Sequence, residues 1–181
     1  KAALSLALVD EKQPYDEHCK IYYCIENVMD IYKKHEGCSQ LIFCDYSTPQ
    51  NSRYSVYKDL KTRFIECGVP ASEIAFIHSC KNEEQKVKLY DAVNSGKVRI
   101  LMGSTFKLGI GANVQTKLKA IHHIDVPWRP ADMVQREGRI IRPGNTNDKI
   151  FIYRYVTEGS FDAYSGQLLE SKQRFISALL S

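Results

Sequence analysis

Three arginines, Arg136, Arg139 and Arg142, recur at intervals of three around Gly138 in the stretch Gln135-Arg136-Glu137-Gly138-Arg139-Ile140-Ile141-Arg142, which Pro143-Gly144 closes. A guanidinium keeps its charge and presents a planar fork that fits phosphate oxygens. The spacing therefore suits gripping a polyphosphate, or the charge that develops on it during transfer. A solvated basic helix face paired with nearby carboxylates is the other reading, and the octet alone leaves both open. Two further stretches carry polar groups of the right kind. Ser104-Thr105-Phe106-Lys107-Leu108-Gly109-Ile110-Gly111-Ala112-Asn113 joins two hydroxyls to a glycine pair and an amide, and Ser47-Thr48-Pro49 follows the apolar run Leu41-Ile42-Phe43-Cys44-Asp45.

The glycines at 109 and 111 let backbone approach a ligand closely, and Asn113 offers both a donor and an acceptor. Read by itself, the pair is a plain loop. The hydroxyls of Ser47, Thr48, Ser104 and Thr105 suit phosphate oxygens along a nucleic-acid backbone without reading bases. They equally suit helix caps, and the two roles are compatible.

Taken in order, these segments resemble the C-terminal motor lobe of superfamily 2 helicases and translocases. Residues 41–49 look like motif IV, residues 104–113 like motif V, and Gln-Arg-x-Gly-Arg-x-x-Arg like motif VI. Between the last two, His122-His123-Ile124-Asp125-Val126-Pro127-Trp128-Arg129-Pro130-Ala131-Asp132 is similar to the segment found there in chromatin-remodelling translocases. Gln135 in place of histidine and Asn113 in place of aspartate depart from the DEAD-box pattern toward that remodeller branch. The opening Lys1-Ala2-Ala3-Leu4 adds a resemblance to large bacterial helicase-methyltransferases of mobile elements.

The resemblance implies that Arg139 and Arg142 are arginine fingers reaching an ATP bound mainly by a partner lobe, where such fingers supply about 10³–10⁵ in rate. It implies that Gly109, Gly111, Asn113 and Gln135 meet the nucleotide, and that Ser47, Thr48, Ser104 and Thr105 touch DNA, in duplex form, through its backbone. No G-x-x-x-x-G-K-[ST] loop and no strand-following Asp-Glu pair occurs in the chain. By the same resemblance, the phosphate loop and most of the Mg2+ ligands belong to the N-terminal helicase lobe of the same polypeptide. A non-catalytic nucleic-acid-binding or protein-interaction module on the same fold is the competing reading.

Other residues carry blander expectations. Arg136 sits one helical turn before Arg139, and a structural ion pair with Asp132 at i−4 is favoured over a phosphate role. Trp128 suits packing better than base stacking. His78, His122 and His123 lack a metal framework and receive no catalytic role. Lys107 and Arg53 are solvated by default, and Tyr15, Tyr22, Tyr23 and Tyr32 are expected to pack the first helix on the sheet or on a neighbour.

Elements that could position these groups follow from periodicity. Residues 15–35 carry Ile21, Ile25, Val28 and Ile31 at helical spacing, and a second helix ends at Gly68. Asn82 opens a third that Ser95-Gly96 closes, and Pro130 starts a fourth. Apolar runs at 40–44, 74–77, 98–102, 120–126 and 150–156 read as strands, and residues 161–180 as a long closing helix. Continuous apolar strands between amphipathic helices predict a three-layer α/β/α, RecA-like lobe around a mainly parallel sheet. One structural domain is expected, with residues 1–36 as lead-in and helix, 37–158 as core and 159–181 as closing helix.

At 181 residues, 44% hydrophobic and 25% charged, the chain can bury such a core and does not read as disordered. A net charge of +4 is compatible with a nucleic-acid partner without requiring one. Cys19, Cys24, Cys38, Cys44, Cys67 and Cys80 have neither C-x-x-C nor zinc spacing, and they read as small buried residues of a reduced, cytoplasmic protein. No metal site is expected within this chain. Residues 2–9 are too short to span a bilayer, and with Lys1 in front the chain reads as a piece of a longer one.

Overall fold

A computed structural model describes residues 19–46, 48–49, 55–109, 113–127, 129–157, 164, 166–168 and 171–172. Five strands, β1 (Ser39–Phe43), β2 (Ile74–Phe76), β3 (Ile100–Gly103), β4 (Leu118–His123) and β5 (Phe151–Arg154), form one sheet in the order β2-β3-β1-β4-β5. Every neighbouring pair is parallel. Strands β1, β3 and β4 are buried along their whole length, as continuous apolar runs covered on both faces must be.

Alternation along β1 feeds two cores. Ile42 packs with Ile21, Cys24 and Val28 of α1 (Lys20–Lys34) and with Tyr57, Leu60 and Phe64 of α2 (Val56–Glu66). Leu41 and Phe43 point the other way, toward Val93 of α3 (Glu83–Asn94), Leu108 of α4 (Thr105–Gly109) and Ile140 beyond α5 (Pro130–Glu137). Helices thus cover both faces and give the expected three layers.

Local chemistry explains where elements start and stop. Asn82 accepts from the Gln85 amide N–H at 2.9 Å while the Gln85 side chain reaches back to Lys81 N–H at 2.8 Å, a reciprocal N-terminal cap for α3. Gly96 ends that helix at φ +80°, where a Cβ would lie 2.5 Å from the Gly37 carbonyl oxygen. Pro130 opens α5 at its first turn, where a missing N–H costs nothing. The buried Arg99 closes α1: its guanidinium stacks 3.7 Å from the Tyr32 ring centroid and donates to the carbonyls of Tyr32 at 2.7 Å and His35 at 2.8 Å. A cation there meets both orphan carbonyls and the negative end of the helix dipole.

A second buried polar group ties the sheet to α1. His122 Nε2 lies 3.0 Å from Gln40 Oε1 and Nδ1 lies 2.8 Å from Tyr155 Oη. Because the Gln40 amide nitrogen donates to the Val28 carbonyl, its oxygen accepts from His122 Nε2–H, and Tyr155 Oη, which itself accepts from Asn27 Nδ2 at 3.2 Å, can donate to Nδ1 of a neutral ring. Burial pulls the His122 pKa down to about 3.

Several expectations shift. Strand β4 ends at His123 rather than at 126, because the Asp125 side chain leaves the strand pattern to cap the loop after β1. Strand β3 starts at Ile100 instead of 98. Cys24 and Cys44 are buried, and burial pushes both thiols up, but Cys67 is exposed and Cys19, Cys38 and Cys80 are half-buried. Tyr32 packs inward with its hydroxyl on Glu73, whereas Tyr23 faces out at the opposite side of α1. Residues 164, 166–168 and 171–172 are helical, and the remainder of the expected closing helix lies outside the described residues, as do Tyr15, Arg53 and Trp128. No helix among the described residues is long and apolar enough to cross a membrane.

Candidate functional site

The carboxyl ends of β1, β3 and β4 lie side by side and release Asp45, Ser104-Thr105 and Asp125, at the edge where parallel sheets present ligand-binding loops. Arg136 reaches this edge from α5 and is fully buried. Its Nη2 donates to Asp45 Oδ2 at 2.7 Å and to Asp125 Oδ1 at 3.0 Å, and Nη1 donates to the Asp125 carbonyl at 3.0 Å. Nε donates to Thr105 Oγ1 at 2.8 Å. Asp45 in turn accepts from the Thr105 amide N–H at 2.6 Å and from its hydroxyl at 2.7 Å. Asp125 Oδ2 accepts from the backbone N–H groups of Asp45 and Tyr46.

A buried guanidinium requires this degree of pairing, since an uncompensated charge in the interior is very costly. The structural role expected of Arg136 is therefore what the geometry gives, but its partners are Asp45 and Asp125 instead of Asp132. The i−4 rule sees only neighbours along one helix, whereas these partners come from the ends of two strands. Burial raises the Asp125 pKa and Arg136 opposes that rise.

Asp132 lines a cleft of about 540 Å³ together with Asp45, Thr48, Ser104, Thr105, Phe106 and Gln135. Thr48, Ser104 and Thr105, expected to meet nucleic acid, thus share one cleft with Gln135, expected to meet nucleotide. Both donors of Thr105 are held by Asp45, and Ser104 Oγ accepts from Lys107 N–H at 3.3 Å as a cap of α4. Phe106, absent from the sequence-based site, stands 72% exposed at this cleft. Its only sequence signal was an aromatic residue between two polar ones inside motif V.

Beyond α5, Ile140 is anchored in the core and the two remaining arginines flank it. Arg139 is largely buried and Arg142 is exposed. Arg142 Nη1 donates to Asn113 Oδ1 at 2.9 Å, which joins the end of motif V to the end of motif VI. Burial and the nearby Arg142 cation pull the Arg139 pKa below its ordinary value, with Tyr90 opposing. Two cations whose charges act on one another favour an anion nearby. The segment is braced at both ends: Glu137 pairs with Arg154 of β5 at 2.6 Å, and Asn145 Nδ2 donates to the carbonyls of Leu118 at 2.8 Å and Ile140 at 3.2 Å. Gly109 is the last residue of α4, while Gly111 and Ser47 lie outside the described residues.

Residues 22–144, more than half of the chain, match the helicase conserved C-terminal domain. The chain belongs to that family. Among solved structures, this helicase C-terminal domain is similar to the C-terminal part of the Fun30 ATPase domain, with a TM-score of 0.66 and 21% identity over 93% of this chain and 51% of that one. It is similar also to the DUF1998 helicase MrfA bound to DNA, with a TM-score of 0.62 and 12% identity over 87% of this chain and 20% of that one. These likenesses show the fold, a five-stranded all-parallel sheet between helix layers that resembles RecA-like helicase C-terminal lobes. A stretch of 74 residues is 36% identical to the defense against restriction protein B of Escherichia phage P1, covering 41% of this chain and 3% of that protein. The chain spans about half of the Fun30 structure, a fifth of MrfA and 3% of the phage protein.

Proposed function

We propose that this domain is the second motor lobe of an ATP-dependent DNA helicase or translocase, and that it supplies Arg139 and Arg142 to an ATP site completed by the first lobe. The observation that carries the reading is the 2.9 Å bond from Arg142 Nη1 to Asn113 Oδ1, which joins two motif segments, with Arg139 near enough to Arg142 to feel its charge. Two donor-only, permanently charged side chains fit phosphate oxygens. ATP bound at the cleft between lobes would supply a phosphoryl group for transfer to water, with Mg2+ held mainly by the first lobe.

In that arrangement Arg139 and Arg142 stabilise negative charge as it develops on the transferring phosphoryl oxygens, and Asn113 sets the direction of the Arg142 fork. Thr48 and Ser104 line a cleft where the backbone of duplex DNA would be met, Gln135 at the same cleft would face the nucleotide, and Thr105, whose two donors are held by Asp45, braces the wall between them. Closing and opening of the two lobes would couple the ATP site to movement along the DNA.

The domain alone should bind DNA weakly and turn over no ATP, whereas the full-length parent should show DNA-stimulated hydrolysis. Turnover by the rigorously purified domain, abolished by Arg139→Ala, would contradict the division of labour between lobes. A non-catalytic binding module predicts a parent with no DNA-stimulated hydrolysis at all.

A further inference from the structure

Asn94 is the last residue of α3 and belongs to none of the motif segments. Its Nδ2 donates to the Asn113 backbone carbonyl at 2.7 Å, and its Oδ1 accepts from the Thr116 N–H at 3.2 Å. One amide therefore clasps both ends of the segment 113–116. Its orientation is dictated, because a carbonyl only accepts and a backbone N–H only donates. The same logic fixes Asn113, whose Oδ1 must face the donor-only Arg142 guanidinium.

On its other side the segment is held through the Thr116 carbonyl, which accepts from Thr146 N–H at 2.9 Å and Thr146 Oγ1 at 2.8 Å. Val114 is buried between these two attachments. No helix or strand ladder holds residues 113–116, so the backbone that presents the Asn113 side chain is set by these few bonds. Arg142 is exposed and long, with many rotamers open to it. Its fixed direction depends on Asn113, and the place of Asn113 depends on Asn94.

We infer that Asn94 is a positioning residue for the Arg142 finger, acting through Asn113. The inference rests on the reading of Arg142 as a finger. Loss of the Asn94 clasp leaves the charge of Arg142 intact but spreads its directions, which lowers the fraction in reactive geometry and slows the chemical step more than it weakens nucleotide binding. A merely structural polar residue at the end of α3 would change melting without changing how Arg142 contributes.

The test uses the full-length parent, with DNA-stimulated kcat, nucleotide affinity and a melting curve for Asn94→Ala, Asn94→Asp, Arg142→Ala and the Asn94→Ala/Arg142→Ala double variant. Asn94→Ala should lower kcat by about tenfold with nucleotide affinity nearly unchanged. Asn94→Asp keeps the acceptor for Thr116 but loses the donor to Asn113, and should fall as far; it decides the matter if Asn94→Ala melts below the assay temperature. The double variant should be no slower than Arg142→Ala alone, since a positioning effect vanishes with the group it positions. Losses that multiply, or normal kcat in both single Asn94 variants, would overturn the inference while leaving a slow Arg142→Ala as support for the finger. Normal turnover in Arg142→Ala would remove the finger reading and this inference together.

Discussion

The Arg136 guanidinium stands 2.7 Å from the Asp45 carboxylate, and through that contact the loop after β1 is tied to α5, the helix that leads into Arg139 and Arg142. Thr105 is bound by both members of the pair, so the loops after β1 and β3 and helix α5 share one set of hydrogen bonds. Asp125 completes the set from the end of β4.

Removing Arg136 strands Asp125 in the interior with Asp45 beside it. Arg136→Ala should cost about 3–5 kcal/mol in urea unfolding, and Arg136→Lys should recover only part, because an ammonium cannot reach Asp45, Asp125 and Thr105 at once. The Asp125 pKa is already raised in the folded state by burial. Without Arg136 it should rise further, so the folded form binds the extra proton and the deficit shrinks as the pH falls toward the carboxylate range. A loss under about 1 kcal/mol would show that the pair is not a structural centre.

His122 makes the fold acid-sensitive. Its folded-state pKa, about 3, lies below the unfolded value near 6.5, so the unfolded chain binds the proton first. Stability is full above pH 6.5 and is lost progressively as the pH falls toward 3, on the order of 2 kcal/mol by pH 5 from this group. His123, lowered mainly by burial, adds in the same direction. Urea midpoints across pH 5–7 should slope accordingly, and His122→Gln should flatten the slope. Midpoints independent of pH would count against a neutral buried imidazole.

Gly103 ends β3 where α4 begins to pack. A Cβ there would lie 2.6 Å from Ile77 Cγ2 and 2.6 Å from Leu108 Cγ. Gly103→Ala should therefore lower stability by about 1–3 kcal/mol through overpacking, despite the usual gain from removing a glycine. An unchanged or higher melting temperature would show that Leu108 yields freely.

Much of the fold was legible because a parallel sheet covered on both faces writes its strands as continuous apolar runs, as at residues 40–44, and because Asn82, Gly96 and Pro130 punctuate helices by known local chemistry. What stayed hidden is tertiary. The apolar run at 120–126 overshoots the end of β4 because nothing in the sequence marks that the Asp125 carboxylate bonds the loop after β1. Helical spacing points Arg136 to its neighbour Asp132, and no spacing rule points to Asp45, 91 residues away. The Asn113–Arg142 contact joins two segments that were each readable, while the Asn94 clasp on it has no local signature at all.

The contacts expected with nucleic acid are sequence-blind. Affinity of the isolated domain for duplex DNA should be weak and fall with rising salt, by a log–log slope of about −0.9 for each phosphate neutralised. Titrations at several salt concentrations with unrelated sequences would check this. A salt-independent interaction, or a strong preference for one sequence, would contradict backbone recognition.

The most direct test of the central claim is single-turnover ATP hydrolysis by the DNA-bound parent, measured beside nucleotide affinity, for Arg139→Ala and Arg142→Ala. Fingers that act on charge developing in the transition state should slow hydrolysis by about 10³-fold or more while changing nucleotide affinity far less. Arg139→Lys should restore only part of the rate, because it keeps the charge and loses the fork. Near-normal hydrolysis in both alanine variants would contradict the finger assignment and put the non-catalytic binding module in its place.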